Sequence, residues 1–167
     1  MRAGIKIDRI DLKILAHLQR AGRCSNVELA DSVGLTPSPC LARVKRLEEN
    51  GYISSYRAHL ELRKLGDVLI VFTEVVLAEH RQRDLQRFEE TVRQCPEVME
   101  CYNLSGGYDY LLKIVVRSVL HYQKTMDALL AAEVGIIRFS SYIVLRLPFI
   151  KDEYPLDTLF ENPVGWS

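Results

Sequence analysis

The chain has 167 residues, 48% hydrophobic and 26% charged, a length and make-up that suit one medium globular domain or two small ones. No stretch approaches the roughly 18 uninterrupted apolar residues of a membrane span, and residues 1–10 lack the apolar run of a secretory signal, so a cytoplasmic location is expected. The 22 Lys/Arg and 22 Asp/Glu cancel overall, but up to Gly66 twelve basic residues face seven acidic ones, which leaves that part at plus five and the remainder at minus five, as for a polyanion-binding head on an acidic body.

In chain order, Ile7, Ile10, Ile14 and Leu18, with Leu12 and Leu15 beside them, recur at helical spacing from Asp8 until Gly22 stops the run. Ser25 and Glu28 have capping-box spacing and open a second helix, whose apolar side is Val27, Leu29, Ala30 and Val33. Gly34 suits the left-handed residue that ends it. In Thr36-Pro37-Ser38-Pro39 either hydroxyl residue can cap and either proline can begin a third helix, which runs to Asn50-Gly51. On a wheel, Cys40, Val44 and Leu47 share one face of it, while Ser38, Ala42, Lys45, Arg46 and Glu49 lie opposite with Arg43 flanking.

Two short helices joined by a glycine turn, the second outwardly basic with small residues at its start, match a helix-turn-helix, with the first helix as support. Thr36, Ser38, Ala42, Arg43, Lys45 and Arg46 are the candidate DNA-contacting residues. Arg43, Lys45 and Arg46 would meet phosphates or guanine edges, and free amides near Pro37 to Cys40 would clasp a phosphate. Tyr52 to Arg57 has strand character and suits a small wing, with Arg57 and His59 near the DNA backbone.

Residues 67–78 are β-branched and apolar at both parities, which predicts a strand covered on one face by helices and on the other by another subunit. A helix over 81–94, strands over 98–104 and 109–116, a helix over 118–132 and a strand over 138–147 complete a β-α-β-β-α-β order, the ferredoxin-like arrangement. The expected division is a winged helix-turn-helix domain at 1–56, a linker at 57–66, a βαββαβ effector-binding and oligomerisation domain at 67–148, and a tail at 149–167, loose from Asn162; the class is α+β.

Within Ser105-Gly106-Gly107-Tyr108-Asp109-Tyr110, two glycines let backbone amides approach a ligand carboxylate, Asp109 can pair with an ammonium group, and the tyrosines can wall a pocket. A free amino acid has that chemistry. A plain glycine hairpin turn with tyrosines packed beside it is the alternative. Cys24, Cys40, Cys95 and Cys101 form no C-x-x-C pair, and His17, His59, His80 and His121 have no metal-ligand spacing, so reduced thiols and no metal or cofactor are expected.

The residues Ile7-Asp8-Arg9-Ile10-Asp11-Leu12-Lys13-Ile14-Leu15, Glu28-Leu29-Ala30, 33–40, 43–48 and Gly51-Tyr52-Ile53 resemble the leucine-responsive/AsnC, or feast/famine, family of transcription regulators. So do Pro96-Glu97-Val98, Cys101-Tyr102, 106–112 and 140–145 in the second half. The resemblance implies a winged helix-turn-helix joined to a ligand-responsive domain, homodimers pairing through their sheets, octamers or related assemblies around which double-stranded DNA wraps, and amino-acid effectors bound between subunits. It places Tyr102, Leu104, Ser105, Gly106, Gly107, Tyr108 and Asp109 at the effector site, with Ser140 or Ser141 approaching from the last strand. The family frequently has an acidic residue where this chain has Gly107.

The reading that follows is a sequence-specific transcription regulator of amino-acid metabolism. Its rivals are a DNA-organising protein without an effector and an amino-acid-binding regulatory subunit of an enzyme. No catalytic constellation and no phosphate loop occurs, so the chain itself is not expected to be an enzyme.

Overall fold

The computed structural model describes residues 5–160. It divides into two compact units: the residues up to Leu60 together with those from Phe149, and Glu61–Pro148.

In the first unit, α1 (Arg9–Ala21), α2 (Asn26–Val33) and α3 (Pro37–Glu49) pack around Ile7, Ile14, Leu29, Ala30, Val33, Cys40 and Leu47. The capping box opening α2 forms as its spacing predicts: Glu28 N–H donates to Ser25 Oγ at 3.2 Å and Ser25 N–H to Glu28 Oε2 at 2.8 Å. These bonds, from the Ser25 backbone first and its side chain second, hold the Glu28 carboxyl below its usual range. Gly34 is left-handed (φ 74°), and the Leu35 N–H returns to the Ala30 carbonyl at 2.9 Å, closing α2 tightly enough for α3 to begin at Pro37. A short α6 (Leu156–Leu159) also belongs to this unit.

The expected strand over Tyr52–Arg57 does not form. Gly51, at φ 75°, reverses the chain, and the Tyr52 and Ile53 amides then bond back to the Leu47 carbonyl, so the segment wraps against α3. With those amides spent, and no second strand in this unit among the described residues, β-propensity has no ladder to join. Tyr56 instead donates its hydroxyl to Glu48 at 2.9 Å; burial and that carboxylate push its pKa up to about 12.

The second unit begins with a single 3-10 turn, Leu62–Lys64, followed by β1 (Leu69–Leu77), α4 (Gln82–Arg93), β2 (Val98–Asn103), β3 (Tyr110–Val116), α5 (Val119–Ala131) and β4 (Ile136–Ile143). The strands form one antiparallel sheet in the order β2-β3-β1-β4, the topology expected of βαββαβ. The amphipathic helices α4 and α5 supply Phe88, Val92, Tyr122, Met126 and Leu129 to a core completed by Val71, Val75, Leu77, Tyr110, Leu112, Ile114 and Val116. Tyr110 packs against Phe88 with ring centroids 4.6 Å apart and donates its hydroxyl to Glu89 at 2.7 Å.

Two expectations are corrected here. First, β4 starts at Ile136 and ends at Ile143 rather than spanning 138–147, because Gly135 releases the chain from α5 and β1, which begins at Leu69, offers no further partner beyond Val144 N–H to Ile70 C=O. Second, β1 is apolar on both faces, yet only Val71, Thr73, Val75 and Leu77 are buried within the chain. By register, Ile70, Phe72 and Val76 share the face opposite α4 and α5 with Leu111, Val115 and Tyr142. The loose end expected from Asn162 lies outside the described residues.

Candidate nucleic-acid interface and effector site

The third helix begins under proline control. Thr36 is its N-cap in extended geometry, but the hydroxyl makes no capping bond. Pro37 and Pro39 have no N–H, and the Cys40 N–H donates to the Thr36 carbonyl at 3.2 Å. Of the amides at 37–40 expected to clasp a phosphate, only that of Ser38 remains, which corrects the broader expectation. Cys40 and Leu47 face the core; Ser38, Leu41, Ala42, Lys45, Glu48 and Glu49 are exposed.

The arginines of this helix are placed differently from Lys45. Asp11, on α1, is completely buried; its carboxylate accepts from Arg43 Nη1 at 2.8 Å, Arg46 Nη2 at 2.6 Å and the Asp8 N–H at 3.0 Å. Asp8 accepts the Asp11 N–H at 2.9 Å and Arg43 Nη1 at 2.7 Å, so a reciprocal capping box at the start of α1 doubles as the anchor for α3. Two carboxylates thus meet two guanidinium groups, and Lys45 is the exposed cation of α3 with no ion-pair partner among the described residues. Periodicity put Arg46 on the outward face without revealing that it bends down to a buried acid. The signal was the Asp8-x-x-Asp11 spacing, acids three apart at a helix start, which sequence reasoning passed over.

Burial alone would raise the Asp8 pKa, but the Asp11 amide and then Arg43 outweigh it and hold the carboxyl below its ordinary 3.8; the bonds to the Asp8 and then the Asp11 carboxylate raise the Arg43 pKa. A depressed carboxylate contributes stability above its unfolded pKa and loses it as pH falls through the folded value. The head is therefore expected to melt at progressively lower temperature once the pH drops below about 4. Asp8→Asn, which keeps an N-cap oxygen, should flatten that fall; melts followed by circular dichroism from pH 7 to pH 2 would measure it.

In the sheet unit, residues 104–109 link β2 to β3, and Asp109 is their knot. Its N–H donates to the Val75 carbonyl and its carbonyl accepts from the Leu104 N–H, both at 2.9 Å. Its carboxylate accepts the Leu77 N–H at 2.7 Å and lies 2.8 Å from His80 Nε2. Asp109 thereby pins the end of β1 to the start of β3, and His80 is a partner that the sequence did not point to. Gly106 and Gly107 have ordinary negative φ, and a Cβ at either would meet nothing within 4 Å. The chain itself makes no use of their missing side chains.

The other effector candidates lie on two sides of the sheet. Tyr102, Leu111, Glu74 and Ser140 form one cross-strand row by register, so Tyr102 and Ser140 stand on opposite edges, three strand spacings or about 14 Å apart. The Tyr102 hydroxyl bonds Glu100, to which Lys113 also donates at 2.6 Å, and Tyr142 donates to Glu74 at 3.1 Å. Ser141 faces the other way and bonds Tyr122 beneath the sheet, while Tyr108 is half-buried and Tyr110 is spent in the core. One chain does not bring Tyr102, the 104–109 loop and Ser140 into one pocket.

Comparison with known proteins agrees with this anatomy. A sequence model of winged helix-turn-helix DNA-binding domains matches residues 7–54, and a model of the Lrp/AsnC ligand-binding domain matches residues 70–154. The leucine-responsive regulatory protein of Escherichia coli strain K12 is 41% identical over 145 residues, 87% of this chain and 88% of its own. The transcriptional regulatory protein DoeX of Halomonas elongata is 41% identical over 142 residues, covering 85% and 90%. Among solved structures, an AsnC family transcriptional regulator from Agrobacterium tumefaciens superposes with a TM-score of 0.85 at 35% identity, and a transcriptional regulator from Neisseria meningitidis in complex with L-Met with 0.84 at 34%. Each covers 92% of this chain and 99% of its own.

Proposed function

Because the chain belongs to the Lrp/AsnC family of DNA-binding transcription regulators and carries that family's ligand-binding domain, we propose that it is a sequence-specific regulator of amino-acid metabolism whose hold on DNA changes when a free amino acid binds its sheet domain. The observation that carries the DNA half is the outward face of α3, where Ser38, Ala42 and the exposed Lys45 stand clear of the core while Asp8 and Asp11 fix the helix from behind. Small residues at the helix start allow close approach to the major groove, the Ser38 amide and Thr36 hydroxyl are available to a phosphate, and Lys45 supplies charge. Arg43 and Arg46, paired with Asp8 and Asp11, position the helix.

An amino-acid ligand is supported by the 104–109 loop, whose two glycines leave open space beside them. The separation of Tyr102 and Ser140 favours a site completed by a second copy. The apolar sheet face turned away from α4 and α5, with half-buried Ile70, Phe72, Val76, Leu111 and Val115, supplies the surface for a homodimer, and further pairing of dimers gives octamers or similar assemblies. Several linked heads raise DNA affinity through effective concentration. Such a protein works beside the chromosome in the cytoplasm, and among the described residues no helix is long and apolar enough to cross a membrane. An effector-free, DNA-organising role is favoured by one observation, that the Asp109 carboxylate is already occupied by Leu77 and His80.

The test is fluorescence anisotropy on the protein's own promoter DNA across a salt series, with and without a mixture of amino acids. Specific binding that weakens with salt and changes with the mixture is the expected result. Lys45→Ala should reduce the slope of log affinity against log salt by about one. Binding indifferent to the mixture would favour the organising role, and no binding would sink the proposal.

A further inference from the structure

At the far end of α1 from its acidic anchor, Gln19 grips the backbone of Tyr154 from both sides. Its Oε1 accepts the Tyr154 N–H at 3.0 Å, and its Nε2 donates to the Tyr154 carbonyl at 3.4 Å. A side-chain amide is here used as one rung of a strand ladder, which holds a chain whatever its side chains are. Around it, Arg20 meets Glu153 at 4.0 Å and His59 Nδ1 meets Asp152 at 3.4 Å, basic groups of the head against acidic groups of the returning segment. Leu156 is half-buried and starts α6 against a groove of about 350 Å³ formed by Leu15, Leu18 and residues 52–56. Both side-chain contacts are exposed and contribute little, so the amide grip and the Leu156 contact decide the docking.

We infer that α1 carries a docking site for the chain's own segment Asp152–Leu156, with Gln19 as the residue that holds it. The occupant is this chain's segment because it is seated there and is continuous with β4 through residues 144–151. The clasp makes Glu61–Pro148 an insertion within the DNA-binding unit, joined to it covalently at both ends. Movement of the last strand on ligand binding then pulls on α1 through the clasp as well as through residues 57–60. That transmission rests on the amino-acid response proposed above; the docking does not.

Hydrogen exchange of the full-length protein, read at Tyr154 and across residues 151–156, tests both parts. The Tyr154 amide is expected to be protected, and Gln19→Leu to speed its exchange about tenfold, the effect of losing a hydrogen bond and the contacts that it organises. Tyr154→Pro, which removes the donor without touching α1, should speed exchange of the remaining amides of 151–156 equally, so that damage to α1 by Gln19→Leu is not the cause. Both variants should bind promoter DNA as the parent does without amino acids, yet show a smaller change in affinity when the mixture is added. Exchange in the parent as fast as in an unstructured chain, or unaltered by either variant, overturns the clasp. Protection that disappears on dilution as the assembly dissociates assigns the site to a second copy and overturns the within-chain occupant. Faster exchange with an undiminished amino-acid response overturns the transmission. A protected Tyr154 that depends on Gln19, in a protein that answers to no amino acid, upholds the docking and removes the effector reading alone.

Discussion

Replacing both Arg43 and Arg46 by alanine is expected to destabilise the DNA-binding head by about 3–5 kcal/mol, because it strands the fully buried Asp11 carboxylate without a counter-charge. In a unit of this size that lowers the melting midpoint by more than about 10 °C. Asp11→Ala should cost about half as much: the guanidinium groups, whose side chains retain 27% and 40% exposure, can turn to water once their partner has gone. The order of severity is therefore the reverse of that expected if the arginines served DNA alone, in which case their loss would leave stability untouched. Thermal melts of the three variants, set beside promoter binding at a temperature where each is folded, separate the roles. If the double variant melts with the parent, the carboxylate cluster is not what holds α3 in place. A salt slope that falls in the folded single variant Arg46→Ala would assign that arginine a phosphate as well.

The second large effect is expected at Asp109. Removing its carboxylate leaves the Leu77 N–H at the end of β1 unpaired and frees His80, and a part-buried donor stranded in this way costs about 1–3 kcal/mol. Asp109→Ala should thus loosen the 104–109 loop and abolish any amino-acid response together. Asp109→Asn separates the two causes, since its amide oxygen still accepts from Leu77 while the charge is lost. Near-parental stability with no response would make the charge a partner for the ligand ammonium group; parental stability with full response would make Asp109 a pin and nothing more. Calorimetry against single amino acids, alongside melting of the sheet domain, reads both quantities.

Much of the architecture was legible because it is written in local chemistry. The Ser25–Glu28 box, the left-handed Gly34 and the proline start of α3 each involve atoms within four residues, so their geometry follows from spacing alone. The periodicities of α4, α5 and the four strands are set by which face must leave water, and the βαββαβ order admits few topologies. The strand expected over Tyr52–Arg57 failed for the opposite reason. A strand requires a partner, and propensity is silent on whether one exists.

The amino-acid sequence by itself determined the family, the three helices of the head, the βαββαβ order and the loop at Gly106-Gly107, because these depend on residues near one another in the chain. The tertiary structure decided what the charges do. Asp11 lies 32 and 35 residues from the arginines that it binds, and Gln19 lies 135 residues from Tyr154. Asp109 answers to an amide and an imidazole 32 and 29 residues away. A helical wheel sorts a side chain by its own helix alone, whereas a long, flexible arginine goes wherever the folded chain has buried a carboxylate, since an unpaired buried charge costs more than ordering the side chain that neutralises it.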